Sequence, residues 1–265
     1  MNQYAGLENK KILVVEDVEL NQFLARHIME SWGCEVEIAE NGALALERIQ
    51  NDDFDLVLMD IQMPVMDGIQ ATRQIREMSD QYKSSIPIVA LTANAMRSDF
   101  EVYLNAGMND CLPKPFQEPA LFKAVSKNVR KTRPAPAPAP PAPEPEVSTS
   151  VPPSLYDLTL VEAISGGDKA FIAKMLRLFL DTVPASLHDL RSLSAKQQWA
   201  DLGKAAHKLK STIDSMGIGE LKPVIREIES TGKTGTGTDA APALVEQVVA
   251  VMERVMEQVK KDHSL

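Results

Sequence analysis

Short runs of Val, Ile and Leu recur along the first half of the chain, at Lys11 to Val15, Val36 to Ala39, Asp55 to Asp60 and Pro87 to Thr92, with a weaker one near Cys111. Stretches whose apolar positions follow helical spacing separate them. This alternation predicts a parallel sheet covered by helices on both faces. The helices are expected at about 19–32, 42–51, 67–79, 97–106 and 117–130, with Gly33 and Gly107 where C-terminal caps belong. Five strands in this arrangement favour the doubly wound order 2-1-3-4-5. Strands one and three are then neighbours, and their C-terminal ends converge at the switch point.

From Leu158 onward strand patterns stop and the period is helical, with spans expected near 159–165, 168–192, 195–215, 219–231 and 241–261. Four long helices imply an all-α four-helix bundle with antiparallel neighbours. In the helix around His207, apolar residues recur at Leu202, Ala206, Leu209, Ile213 and Met216, the four-three spacing of a bundle core. His207 lies one residue off that stripe. Lys210 and Ser211 follow it at i+3 and i+4, so the imidazole is expected to face solvent between a cation and a small side chain. His27, His188 and His263 have no such context and read as surface residues.

Nine prolines, mostly in Ala-Pro repeats, fill Pro134 to Pro153. Proline at this density favours extended polyproline conformation, so the segment reads as a stiff linker that reaches roughly 60 Å at about 3.1 Å per residue. The organisation is therefore a first domain over 1–133, a linker over 134–153 and a helical domain over 154–265.

Composition narrows the function. Hydrophobic residues at 44% and charged residues at 25% suit a soluble globular chain. No apolar run approaches the roughly 18 residues of a membrane span, and the N-terminus lacks a signal-peptide pattern. Cys34 and Cys111 have no metal-like spacing, which fits a reducing, cytoplasmic compartment. The net charge of −9 divides as −6 over residues 1–133, −2 over the linker and −1 beyond it. No segment is a basic module, and no helix pair precedes an Arg/Lys-rich recognition helix, so direct nucleic-acid binding is not expected. Gly232-Lys233-Thr234 resembles the end of a phosphate loop, but Glu227 holds the earlier glycine position and no strand precedes it. Thr231 to Thr238 reads as an inter-helix loop. No nucleotide-binding motif appears in the sequence, so ATP is not expected as a direct reactant.

The candidate chemistry lies at the strand ends. Glu16 and Asp17 follow strand one, Asp60 ends strand three, Thr92 ends strand four and Lys114 follows the last apolar run. Three converging carboxylates repel one another unless a cation intervenes, and an all-oxygen set without His or Cys suits Mg²⁺. Lys114 can neutralise a phosphoryl oxygen and Thr92 can donate a hydrogen bond to another, which supplies most of what phosphoryl transfer needs. Haloacid-dehalogenase-like phosphatases also use a strand-end Asp, but need a second acid two residues later, where this chain has Gln62.

At the acid pair, at Asp60-Ile61-Gln62-Met63-Pro64-Val65-Met66-Asp67-Gly68, at Thr92-Ala93 and at Lys114-Pro115, residues 10–131 resemble the response-regulator receiver family, with its flavodoxin-like fold. The resemblance implies Asp60 as phosphoacceptor, Glu16 and Asp17 as Mg²⁺ ligands beside it, and a cis Lys114-Pro115 bond. The family often places a switching Tyr or Phe where this chain has Cys111. That departure implies output through direct transfer and docking more than through a large allosteric change. Over residues 155–262 the string Ala206-His207-Lys208-Leu209-Lys210, with Trp199 before it and Gly217 after, resembles the histidine-containing phosphotransfer family. By that resemblance His207 is a second phosphoacceptor and Lys210 a charge partner, with Ser211 replacing a common glycine. Together the two imply a phosphorelay intermediate and carrier rather than an enzyme with its own product. Its partners would be a sensor histidine kinase and other receiver domains. A phosphorylation-gated binding module with an idle His207 is the alternative.

Overall fold

Residues 6–92, 97–130 and 155–265 are described in the computed structural model, the side chains of 97–99 excepted. The Ala-Pro linker and Ala93 lie outside them. The apolar runs form β1 (Lys11–Val15), β2 (Glu35–Ala39), β3 (Leu56–Asp60), β4 (Ile88–Thr92) and β5 (Asp110–Pro113). All pair in parallel in the order β2-β1-β3-β4-β5. Every residue of β3 and β4 is buried, which is why those runs are continuously apolar until the functional side chain at each end.

Helices α1 (Glu19–Ser31), α2 (Gly42–Asn51), α3 (Gly68–Arg76), α4 (Gln81–Ser84), α5 (Arg97–Asn105) and α6 (Glu118–Asn128) complete this unit. The third predicted helix stops short at Arg76. Asp80 then accepts hydrogen bonds from the Tyr82 and Lys83 amides and starts the one-turn α4, which periodicity alone could not separate. Asp67 caps α3 through the Gln70 amide. Gly68 is obligatory, because a Cβ there would lie 2.1 Å from the carbonyl oxygen of Asp60.

The second unit comprises α7 (Thr159–Ser165), α8 (Lys169–Ala195), α9 (Trp199–Ser215), α10 (Lys222–Thr234) and α11 (Ala241–His263). The predicted stripe holds: Leu202, Ala206, Leu209, Ile213 and Met216 are all buried. α10 runs through Thr234, so the loop expected from Thr231 begins later. Gly232, inside that helix, faces Gly203 of α9. A Cβ on Gly203 would lie 2.7 Å from the Gly232 Cα. This glycine pair lets the two helices approach closely and fixes what α10 can present to His207.

The two units pack together. α1 lies against α7, α8 and α9, and one apolar cluster runs from Leu24 and Phe116 of the sheet unit into Ile164 and Phe171 of the bundle. Among the described residues no helix is long and apolar enough to cross a membrane.

Candidate functional site

At the C-terminal edge of the sheet, the parallel register brings the ends of β1, β3 and β4 together. Glu16, Asp17 and Asp60 offer oxygens that lie within 4.8 Å of one another. Lys114 Nζ donates to Glu16 Oε2 at 2.5 Å and to Asp60 Oδ2 at 2.7 Å. Its bond to Pro115 is cis. Asp60 Oδ1 accepts from the Gln62 amide, and Glu16 Oε1 accepts from the Val18 amide and Asn21. Among the described residues of the sheet unit, Lys114 alone faces three carboxylates, which leaves the pocket under-compensated. Burial pushes the Glu16 carboxyl up to about 7; Lys114 opposes the rise and Asp60 adds to it. Burial also raises Asp17, against the pull of Lys208 and His207. Burial works against the Lys114 charge, but Glu16 and Asp60 prevail and hold it protonated. A hard divalent cation fits this all-oxygen, negatively biased donor set. Thr92 is buried at the end of β4, and its hydroxyl lies 3.1 Å from the Tyr103 phenol oxygen on α5.

His207 departs from expectation. Its side chain is only 14% exposed, and its Nδ1 lies 2.7 Å from Glu229 Oε1 on α10. Lys210 is buried and donates to Glu229 Oε2 at 2.5 Å, while Lys233 donates to Oε1 at 2.6 Å. The imidazole therefore does not stand in solvent between Lys210 and Ser211. It is tied to a carboxylate held by two lysines, and its Nε2 is the nitrogen left for chemistry. Burial disfavours the Glu229 charge, but hydrogen bonds from His207, Lys210 and Lys233 outweigh it, and the carboxyl stays far below its usual range.

α9 lies across the acidic pocket. Lys208 Nζ is 3.6 Å from Asp17 Oδ2. Lys114, Pro115 and Phe116 line a narrow cleft together with Lys210 and Ser211. His27 is not a free surface residue either, since its ring stacks on Phe171 of α8 at 3.8 Å. His188 is exposed as expected, and the exposed His263 lies 3.1 Å from the Tyr156 hydroxyl.

Comparison with known families separates the same two units. The model of the response regulator receiver domain matches residues 12–126 and that of the Hpt domain matches residues 174–261. The chain is a receiver domain fused to an Hpt domain. It is 34% identical over 223 residues to the sensor protein GacS of Pseudomonas syringae pv. syringae, covering 83% of this chain and 24% of that protein. It is 32% identical over 221 residues to the aerobic respiration control sensor protein ArcB of Escherichia coli (strain K12), covering 83% and 27%. The chain thus spans about a quarter of the length of these relatives. The receiver domain of the sensor histidine kinase PA1611 of Pseudomonas aeruginosa PAO1, solved with magnesium in its active-site cleft, is 39% identical, with a TM-score of 0.42 over 45% of this chain and 96% of that one.

Sequence reasoning missed two groups in this receiver–Hpt pair. Glu229 sits 22 residues from His207 on another helix, where no local spacing points to it; its only signal is a charge beside the apolar stripe Val224, Ile225 and Ile228. Tyr103 was hidden in the same way, by a contact between a strand end and the following helix.

Proposed function

We propose that the chain is a phosphoryl carrier in which Asp60 of the receiver and His207 of the Hpt domain exchange a phosphoryl group within one molecule. The observation that carries this reading is the placement of the His207 helix across the acidic pocket, with Lys208 on Asp17 and Ser211 facing the Lys114-Pro115-Phe116 turn. We assign residues 1–133 to the receiver, 134–153 to the linker and 154–265 to the Hpt domain. The partners we propose are a sensor histidine kinase, or a phosphotransfer histidine, and the receiver of another regulator. Both cysteines are free, which suits a reducing, cytoplasmic setting.

In the first step an Asp60 carboxylate oxygen attacks phosphorus and the bond from phosphorus to the donor breaks, giving an acyl phosphate. Lys114 neutralises one phosphoryl oxygen and the Thr92 hydroxyl donates to another. Glu16, Asp17 and Asp60 are the residues that would hold Mg²⁺, whose role when bound is to offset the charge gathered at the phosphoryl group. In the second step the Nε2 lone pair of His207 attacks phosphorus and the bond to Asp60 breaks, restoring the carboxylate. The ring becomes cationic as the N–P bond forms. Glu229 accepts the Nδ1 hydrogen bond, fixes that tautomer and offsets the charge. Both steps are reversible, so flow follows the partners present.

Labelled acetyl phosphate with Mg²⁺, applied to wild type, Asp60→Asn and His207→Gln, tests the reading through the acid and base stability of the bound label. Wild type should accumulate acid-labile phosphohistidine that disappears in Asp60→Asn. Base-labile label alone, unchanged in His207→Gln, would overturn the in-chain exchange and favour a phosphorylation-gated contact.

A further inference from the structure

The contact between the domains has a part that the chemistry at Asp60 and His207 does not use. Phe171, in the first turn of α8, stacks on two rings of the receiver. Its centroid lies 4.7 Å from that of Phe23, with the planes 12° apart, and 3.8 Å from that of His27, at 29°. Phe23 and His27 are four residues apart on α1 and so share one helix face. Lys174, a turn beyond Phe171, places Nζ 5.1 Å from the Phe23 ring centroid. The clasp adjoins the face of α9 that meets the receiver through Lys208 and Asp17, and the carrier histidine on that helix is 14% exposed.

We propose that Phe23, His27 and Phe171 form a clasp that keeps the chain's own receiver seated over His207, and that this same Hpt face is the landing site for any second receiver. The inference rests on the carrier role of His207. Two receivers cannot occupy one face at once, so the resident receiver competes with every other acceptor or donor. Covalent tethering gives it an effective concentration in about the millimolar range, which a separate protein must overcome. The partner that fits is a receiver whose first helix offers a flat apolar or aromatic side chain to Phe171 and whose acidic pocket offers a carboxylate to Lys208. The clasp therefore sets how often the phosphoryl group leaves the chain.

Full-length chains in complementary forms test this. A His207→Gln chain, labelled on Asp60 by acetyl phosphate, is mixed with an Asp60→Asn chain, whose His207 can be loaded only from another molecule. Phe23→Ala and His27→Ala are then added to the Asp60→Asn chain alone. Its own receiver is unclasped while Phe171 stays available to the incoming one. Acid-labile label should appear on the order of tenfold faster, the loss of two aromatic contacts. An unchanged or slower rate overturns the proposal. Phe171→Ala in the same chain removes the shared half of the clasp and should slow the transfer.

A second measurement does not depend on phosphate. Modification of His207 by diethyl pyrocarbonate, mapped by mass spectrometry, should speed up several-fold both in Phe23→Ala/His27→Ala and in Phe171→Ala. Equal rates in all forms overturn the clasp. Faster modification in the unclasped variants, beside a wild-type chain that never forms phosphohistidine, would instead sink the carrier reading while the clasp stands.

Discussion

The pocket around Asp60 and the cluster around His207 are both groups of charges gathered on buried carboxylates, yet they are built in opposite ways. The receiver gathers three carboxylates around one lysine, and burial lifts Glu16 to about 7. The Hpt domain gathers two lysines and an imidazole around one carboxylate, which stays far below its usual range. The first is incomplete without a cation and the second is closed on itself. On the proposed reading, the first would take up a phosphoryl group with a metal beside it. The second would need only an oriented ring nitrogen.

Removing divalent cations should separate the two sites most sharply. With chelator, labelling of Asp60 by acetyl phosphate should fall on the order of 1,000-fold, the scale of losing a principal stabiliser of developing charge. The thermal melting of the Hpt domain should not move. The pH dependence should split in the same way. The Glu16 carboxyl is raised from 4.5 to about 7, so the folded receiver binds more protons than the unfolded chain, and without metal its stability falls as pH rises across that window. The loss is up to roughly 3 kcal/mol. Urea unfolding at pH 5 and pH 8, with and without Mg²⁺, should show this trend with chelator and its disappearance with the ion.

Glu229→Gln attacks the other side of the comparison. The substitution leaves Lys210 buried without its counter-charge and should cost about 3 kcal/mol of Hpt stability. In wild type, Glu229 is held below its ordinary 4.5, so its contribution is present above that value and is lost as pH falls through the lower folded value. Chemical denaturation of the variant should lack this acid-side loss. The variant should also release the Nδ1 tautomer, which imidazole nitrogen NMR shifts would report. A ring with unchanged shifts would mean that Glu229 does not orient it.

How the Glu229 network was missed shows what periodicity can reach. Strand order, the acid trio, Lys114 and the bundle stripe were legible because each depends on local spacing or on the end of an apolar run. The His207 environment was not, because it arises where two helices meet at Gly203 and Gly232. Read locally, Gly232-Lys233-Thr234 looked like a loop. In the fold Gly232 is a contact point one turn from Glu229. Gly203→Ala should therefore cost about 2 kcal/mol through overpacking, despite the helix propensity that alanine adds. It should also slow transfer to His207 by pushing Glu229 away. If the cost is instead a gain of a few tenths of a kcal/mol, propensity outweighs packing and the close approach is not required.

The smallest expected effect concerns the receiver's own coupling. Cys111 is half-buried in β5, beside Ala90 of β4, where the family often has an aromatic residue. An aromatic hydroxyl nevertheless reaches the site from another direction, since Tyr103 of α5 lies 3.1 Å from the Thr92 hydroxyl. Tyr103 is buried, while Phe100, Val102 and Leu104 of the same helix are exposed, so Thr92 is linked to an outward apolar surface. Tyr103→Phe keeps the ring and removes the hydroxyl contact with Thr92, worth about 1 kcal/mol. The lifetime of phospho-Asp60 should then change about fivefold, with Mg²⁺ affinity unaltered. The same substitution in a Thr92→Ala background should do nothing further, because the contact between the two hydroxyls is already lost there. An equal effect in both backgrounds would show that Tyr103 acts through packing. Cys111→Tyr, which adds the missing aromatic, should leave phosphotransfer rates close to wild type if Tyr103 already holds Thr92 in place.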